Sequence, residues 1–264
     1  MIESNNLEIP IRNTLLRFSP EEGLSHLREM FILPRLQSKI RIKISDWGTA
    51  FAQGAKVLDV GCGIQPYREL IERQPLTYFS FDVSQNPKNT VTFLGKIDGD
   101  LPYSILATAP FDIILITEVM EHVLNWNKAF ENLSKLLSDS GEIFLTCPFF
   151  FPLNEQPYDY WRPTQFALEA LGKSNQLKLI KSEKLGSSVD CLGLLLGHLL
   201  VRMKYQQPLG ILNRLLISIK QRALKALLLF MHYLVKKGYF ECNFSHDSDF
   251  YISNCVSFMK HTLP

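Results

Sequence analysis

Apolar residues fall in short continuous blocks separated by stretches with helical spacing through the middle of the chain. "KVLDV" (56–60), "TYFSFDVS" (77–84), "FDIILIT" (111–117) and "EIFLTCP" (142–148) are such blocks, and "TVTFLGKI" (90–97) is a weaker one. "FDIILIT" has no polar alternation after its second residue, the pattern of a central parallel strand covered on both faces. Between the blocks, "QPYRELIER" predicts a helix with Pro66 near its start. "NWNKAFENLSKLLSDSG" predicts an amphipathic helix with Trp126, Phe130, Leu133 and Leu137 on one face and Gly141 beyond its end. "RPTQFALEALGKS" predicts a further helix, "LKLIKSEKL" a strand, and "DFYISNCVSFMK" a final strand. Strands separated by helices at this spacing predict a doubly wound, mostly parallel α/β sheet, with ligands at the carboxyl ends of the strands.

Two segments stand outside that alternation. Residues 1–50 read as an N-terminal helical segment or lid: Ser19 can cap, Pro20 suits a first turn with Glu21 and Glu22, and Pro34 should break or kink the helix. Residues 51–264 form the main domain. Within it, 189–238 is a long apolar and basic helical insertion before the last strand.

Composition narrows the picture only locally. The net charge of +2 announces neither nucleic acid nor membrane. From Cys191 to Phe240, however, there is no acidic residue, while Arg202, Lys204, Arg214, Lys220, Arg222, Lys225, Lys236 and Lys237 are basic. Such segregation marks a solvated face or a surface that meets phosphates. On a helix, Arg214, Ser218, Gln221, Arg222, Lys225, His232 and Lys236 form a stripe, with apolar residues filling the rest. That arrangement suits peripheral membrane contact, a substrate lid or a dimer contact. Nucleic acid is not expected, because the basic residues are not interleaved with aromatics. The five cysteines form no paired motif, which argues for buried free thiols. The opening "MIESNNLEIP" lacks signal-peptide character, and no apolar run reaches the roughly 18 residues of a spanning helix, so the cytoplasm is the expected compartment.

The chemistry concentrates at "KVLDVGCGIQPYREL" (56–70), where a strand ends in Asp59 and is followed by Gly61, Cys62 and Gly63. A dinucleotide would set its pyrophosphate over the helix start and favours glycine at the sixth position, which here is Pro66. Asp59 would repel that phosphate. A ligand carrying a positive amino group turns the same acid into a contact, and S-adenosylmethionine is such a ligand. Asp59 would then hold the ammonium end, and Gly61 and Gly63 would let the backbone approach. Asp82, at the end of the second strand and followed by Val83, can accept both ribose hydroxyls. Asp98, beside Gly99, can accept from the adenine amino group, with Ile97 and Leu101 sandwiching the ring. Each acid also has a structural alternative: Asp59 as a helix cap, Asp82 as a turn residue, and Asp100 in place of Asp98.

"VLDVGCG", "FDVS", "DGDLPY", "FDIILITEVMEHV" and "SGEIFLTCP" occur in the order and spacing of the class I S-adenosylmethionine-dependent methyltransferases, and the chain resembles the type 11 subgroup most. The resemblance covers residues 54–185 and the last strand, and implies a seven-stranded sheet whose final strand is antiparallel. Gln65 stands where the family often has glycine. "PFFFPLNEQPYDYWRPT" is similar to a loop of relatives found near surface-polysaccharide genes, with Asn154 in place of their histidine.

The resemblance implies methyl transfer to an acceptor, with a small-molecule or glycan oxygen expected and a quinone or lipid-like acceptor, or a degenerate binding subunit, as alternatives. His122 is the candidate general base, because imidazole titrates near neutrality. Thr117 and Glu118 are placed to meet the methionine part of the cofactor. Tyr158, Asp159, Tyr160, Trp161 and Arg162 mix aromatic faces with a charge pair, as sugar sites do; alternatively they form a packed lid. "EVMEH" is similar to the metal-holding sequence of small-RNA 2′-O-methyltransferases, but type 11 relatives carry "EVLEH" without evident metal dependence, so no metal is expected.

Overall fold

The computed structural model describes residues 30–202, 211–239 and 249–261. The chain forms one seven-stranded sheet in the order β3-β2-β1-β4-β5-β7-β6. Its strands are β1 (Ala55–Val60), β2 (Leu76–Asp82), β3 (Phe93–Leu94), β4 (Phe111–Thr117), β5 (Leu137–Pro148), β6 (Leu177–Leu185) and β7 (Ser253–Lys260). All pairings are parallel except those of β7, which runs antiparallel between β5 and β6. The helices are α1 (Leu33–Ala50), α2 (Arg68–Glu72), α3 (Tyr103–Thr108), α4 (Trp126–Leu136), α5 (Gln165–Ser174), α6 (Ser188–Arg202) and α7 (Ile211–Lys236).

The period-2 alternation of the strands divides the core into two layers. Ile114 and Ile116 of β4 join Leu58, Val60, Ile143 and Leu145 on one face, under Trp126, Phe130 and Leu133 of α4. Ile113 and Leu115 join Val57 and Phe144 on the other, under Leu36, Ile40, Ile44 and Trp47 of α1. A third cluster links Phe31, Ile32 and Ile252 to α6 and α7.

Several elements depart from the sequence expectation. Pro34 does not break a helix; it sits in the first turn of α1, where its missing N–H costs nothing. The described part of the 1–50 segment is core rather than lid. Helix α1 buries five apolar side chains, each worth about 1.5–3 kcal/mol, and lends none to the central cavity. The expected start at Ser19–Glu22 lies outside the described residues. Helix α4 ends at Leu136, and Leu137 opens β5 opposite Phe111. Gly141 is therefore inside a strand. A Cβ there would lie 2.9 Å from the Asp112 carbonyl oxygen, so close approach of the neighbouring strand requires glycine. The block 90–97 contributes only the two residues of β3. The insertion resolves into α6 and α7. On α7, Gln221 and His232 of the expected basic stripe are half-buried, whereas its Arg222, Lys225 and Lys236 are exposed.

Candidate active site

The carboxyl ends of β1, β2 and β4 open into a cavity of about 290 Å³. Its walls are Val60, Gly61, Phe81, Asp82, Val83 and Ser84, then Gly95, Lys96, Ile97 and Asp98, then Val119, His122, Val123 and Leu124, with Glu155, Tyr158 and Tyr160 from the loop after β5.

The turn after β1 is built for close approach. Gly61 and Gly63 have φ of +67° and +51°, the left-handed region that side chains disfavour. Gln65 has φ of +60°, which accounts for the glycine frequent at this position in the resembling family. Its side chain offsets the strain: Nε2 donates to Ser80 Oγ at 3.0 Å and to the Thr90 carbonyl at 2.8 Å, and Thr90 Oγ1 donates to Oε1 at 2.8 Å.

Asp82 joins the turn to β2. Its Oδ2 accepts from the Gly63 N–H at 2.8 Å and its Oδ1 from the Val83 N–H at 2.7 Å. One acceptor site on each oxygen remains to face the cavity. Asp98 Oδ2 accepts from the Asn125 N–H at 3.2 Å. Gly99 is not in the wall; its carbonyl accepts from Asn132 Nδ2, which also binds the Ile97 carbonyl and so fixes the segment that carries Asp98.

The expected cofactor contacts Asp59, Cys62, Gly63, Thr117 and Glu118 also lie off the cavity wall. Asp59 is buried and accepts from the Tyr78 hydroxyl at 2.8 Å. Burial and the Asp59 charge push the Tyr78 hydroxyl far above the ordinary tyrosine range. Glu118, with φ of +52°, accepts from Ser253 Oγ at 2.9 Å, and its N–H donates to the Thr146 carbonyl at 3.0 Å. Thr117 is in register with Thr146 at the end of β4. Cys62 is buried, and burial together with Asp59 and Asp82 raises its thiol well above the usual range, so it is neutral.

His122 closes the other end of the cavity. It sits in a single 3₁₀ turn, Met120–His122, which Trp126 Nε1 anchors by donating to the Met120 carbonyl at 2.7 Å. His122 Nδ1 lies 2.7 Å from the Tyr158 carbonyl oxygen. A carbonyl only accepts, so Nδ1 carries a proton, and Nε2 is the nitrogen that can hold a lone pair when the ring is neutral. Nε2 lies 3.5 Å from Glu121 Oε1 and 3.8 Å from Glu155 Oε2. Sequence reasoning missed Glu155 as a neighbour of His122. The loop that carries it was singled out, but no linear spacing links a loop residue to the turn after β4.

The remaining loop residues separate into two groups. Tyr158 and Tyr160 line the cavity, and Trp161 is exposed beside Trp126, with ring centroids 6.1 Å apart. Asp159 and Arg162 are internal. The Asp159 side chain is 1% exposed; Arg162 Nη1 and Nη2 donate to its two oxygens at 2.5 and 2.6 Å, and Nη2 also donates to the Pro152 carbonyl at 3.2 Å. Burial opposes ionisation of Asp159, but the hydrogen bonds from Arg162 and from the Asn154 N–H hold its carboxyl below the usual range. The pair is a strut of the loop, which fits the packed-lid alternative for these two residues rather than the sugar-facing one. Among the described residues, no cluster of three or more His, Cys, Asp or Glu side chains is placed to hold a metal ion.

A family model described as a methyltransferase domain matches residues 32–175, more than half of the chain. The chain belongs to the methyltransferase family. The strand order and antiparallel β7 of this methyltransferase form the class I, S-adenosylmethionine-dependent fold that the motifs implied. It is 29% identical over 134 residues to a ubiquinone biosynthesis O-methyltransferase of Caulobacter sp. (strain K31), covering 47% of this chain and 52% of that protein. A Caulobacter vibrioides protein of the same name is 29% identical over 138 residues, covering 49% and 54%. The methyltransferase thus spans about half the length of the curated relatives it matches. Among solved structures, the O-methyltransferase of a trans-AT PKS multienzyme of Brevibacillus brevis, in complex with S-adenosyl-L-homocysteine, has TM-score 0.51 and 15% identity, covering 92% of this chain and 81% of that one. A sarcosine dimethylglycine methyltransferase structure from Galdieria sulphuraria has TM-score 0.51 and 12% identity, covering 86% and 85%. At these identities the structural likeness carries the fold alone.

Proposed function

We propose that the protein transfers the methyl group of S-adenosylmethionine to a hydroxyl oxygen of a largely apolar acceptor. The observation that carries this reading is His122, held by the Tyr158 carbonyl with Nε2 as its basic nitrogen, in the wall of the same cavity as Asp82 and Asp98.

The donor set suits the cofactor. Asp82 has two oxygens for ribose hydroxyls, Asp98 has an acceptor for an amino group, and Val83 and Ile97 supply apolar faces for a ring. When bound, S-adenosylmethionine supplies a methyl carbon activated by its sulfonium. The chain's own residues must align the acceptor and take its proton. His122 Nε2 would accept the hydroxyl proton, and Glu121 and Glu155 would stabilise the imidazolium that results. A positioned base of this kind contributes about 10²–10⁴-fold, and alignment contributes up to about 7–11 kcal/mol.

An apolar acceptor is favoured over a glycan for two reasons. Asp159 and Arg162 are committed to each other, so the loop offers no free charge pair for sugar hydroxyls. The loop and cavity mouth instead expose Leu124 and Leu153, each 62% exposed, and Trp161. The curated relatives named as ubiquinone biosynthesis O-methyltransferases support an oxygen acceptor of lipid-like character.

Incubation with radiolabelled S-adenosylmethionine and organic or aqueous cell extracts tests the reading. Label is expected in the organic-soluble fraction, and His122→Ala should lower turnover by about 10²-fold or more while leaving S-adenosylhomocysteine affinity unchanged. Unchanged turnover removes His122 as the base, and label confined to water-soluble products contradicts the apolar acceptor.

A further inference from the structure

Helix α7 uses one face for packing and leaves a second apolar face in solvent. Leu224, Leu228, Met231 and Val235 turn inward to the cluster shared with α6, Phe31 and Ile252. On the opposite side, Ile219, Phe230 and Tyr233 are 53%, 58% and 54% exposed, with Ala223 and Ala226 exposed between them. Positions 219, 223, 226, 230 and 233 step by four, three, four and three residues and so form a single stripe. Over 26 residues the helix is about 39 Å long. Helix α6, packed in the same cluster, has its own exposed stripe at Leu192, Leu195 and Leu199.

The borders of the α7 stripe are basic. At 100° per residue, Arg222, Lys225 and Lys236 flank it on one side and Lys220 on the other, and all four are exposed. No acidic residue occurs between Cys191 and Phe240 to balance them. This helical pair also lies beyond the 32–175 stretch matched by the family model, and none of its residues lines the cavity. A second copy of the chain is a poor occupant, because apposed stripes would bring like-charged borders together. An anionic surface with an apolar interior fits both features: leucine and aromatic side chains enter the acyl boundary while lysine and arginine meet headgroups. Among the described residues, no helix is long and apolar enough to cross a membrane, so the contact would lie in the plane of the interface.

We propose that the outward face of α7 docks the protein onto an anionic lipid bilayer. The docking stands apart from the methyl-transfer reading, but it gives that reading a route for its acceptor. Phe150 and Phe151 pack against the same helical cluster and begin the loop that brings Glu155, Tyr158 and Tyr160 to the cavity.

The test is flotation of the full-length protein with phosphatidylcholine vesicles, with and without phosphatidylglycerol. Binding is expected to be about tenfold or more stronger with phosphatidylglycerol and to weaken at high salt. Phe230→Glu should abolish it while circular dichroism and S-adenosylhomocysteine affinity stay at wild-type values, which shows that the variant folds. Lys225→Glu, paired with Arg222→Glu, should lose only the phosphatidylglycerol preference. Absence of binding to either vesicle overturns the proposal, as does binding that Phe230→Glu leaves intact. A lipid-free dimer in sedimentation velocity that Phe230→Glu dissolves would assign the face to self-association instead.

Discussion

Replacing Asp82 with asparagine preserves the shape of the side chain and exchanges one oxygen for an N–H2 group. Both carboxylate oxygens are committed to backbone donors, Oδ2 to Gly63 N–H at 2.8 Å and Oδ1 to Val83 N–H at 2.7 Å. Whichever way the amide is set, one of these N–H groups faces another donor. A hydrogen bond to a charged acceptor contributes about 1.5–3 kcal/mol. The variant should therefore lose stability of that order in the turn. At about 2–4 °C per kcal/mol for a chain of this size, the Tm falls by roughly 3–12 °C. The ligand side loses more specifically, because an amide retains one acceptor for two ribose hydroxyls and carries no charge. A loss of about 1.5–3 kcal/mol corresponds to about 10- to 150-fold in Kd. The assay is calorimetric titration with S-adenosylhomocysteine at a temperature where the variant is folded. Asp98→Asn is the internal comparison. Its recorded partner is the Asn125 N–H at 3.2 Å, and an asparagine oxygen can still accept from an amino group, so its affinity loss should stay below about tenfold. Wild-type affinity in folded Asp82→Asn, or a larger loss in Asp98→Asn, would refute the assignment of Asp82 to the ribose.

Other consequences follow from the loop and the turn. Arg162→Met leaves the buried Asp159 carboxylate with the Asn154 N–H but no guanidinium, and should cost about 3–5 kcal/mol in denaturant unfolding. Arg162→Met combined with Asp159→Asn should cost less than the sum of the two single variants. Asp159 titrates below its unfolded value, so its contribution to stability is present above that value, about 3.9, and is lost as pH falls through the lower folded value. Trp161 fluorescence should report this acid loosening in the wild type, and Asp159→Asn should remove that dependence. Gln65→Ala combines a left-handed φ with the loss of the Ser80 and Thr90 contacts, whereas Gln65→Gly loses the contacts but relieves about 1–2 kcal/mol of strain. Unfolding midpoints should fall in the order wild type, Gln65→Gly, Gln65→Ala; a glycine variant more stable than wild type would deny the network its role.

The parts of the fold that were legible in the sequence are those set by local apolar pattern. "FDIILIT" is β4 to the residue, because its continuous apolar run Ile113–Ile116 is fully buried. "LKLIKSEKL" is β6 with the same bounds. Leu137 continues the helical spacing of α4, so sequence pattern alone places it in the helix; only pairing with Phe111 across the sheet shows that β5 has begun. Pro34 read as a helix breaker because the sequence before it also looked helical. In the site, Asp82, Asp98 and His122 follow strand ends, and strand ends can be counted along a chain. The sequence points Asp59 at the ligand; the structure gives it the Tyr78 hydroxyl, a partner from the neighbouring strand that no linear spacing reveals. Glu155 and the Ser253 contact of Glu118 come from a loop and from the last strand, so only the folded chain brings them in.

The central claim is that the cavity at the ends of β1, β2 and β4 is a cofactor site for S-adenosylmethionine. Calorimetric titration of the purified protein with S-adenosylhomocysteine tests it most directly, with NAD as the competing ligand. Saturable binding of S-adenosylhomocysteine at a single site per chain, with no heat from NAD, is the predicted result. Heat from NAD, or none from S-adenosylhomocysteine, would contradict the account.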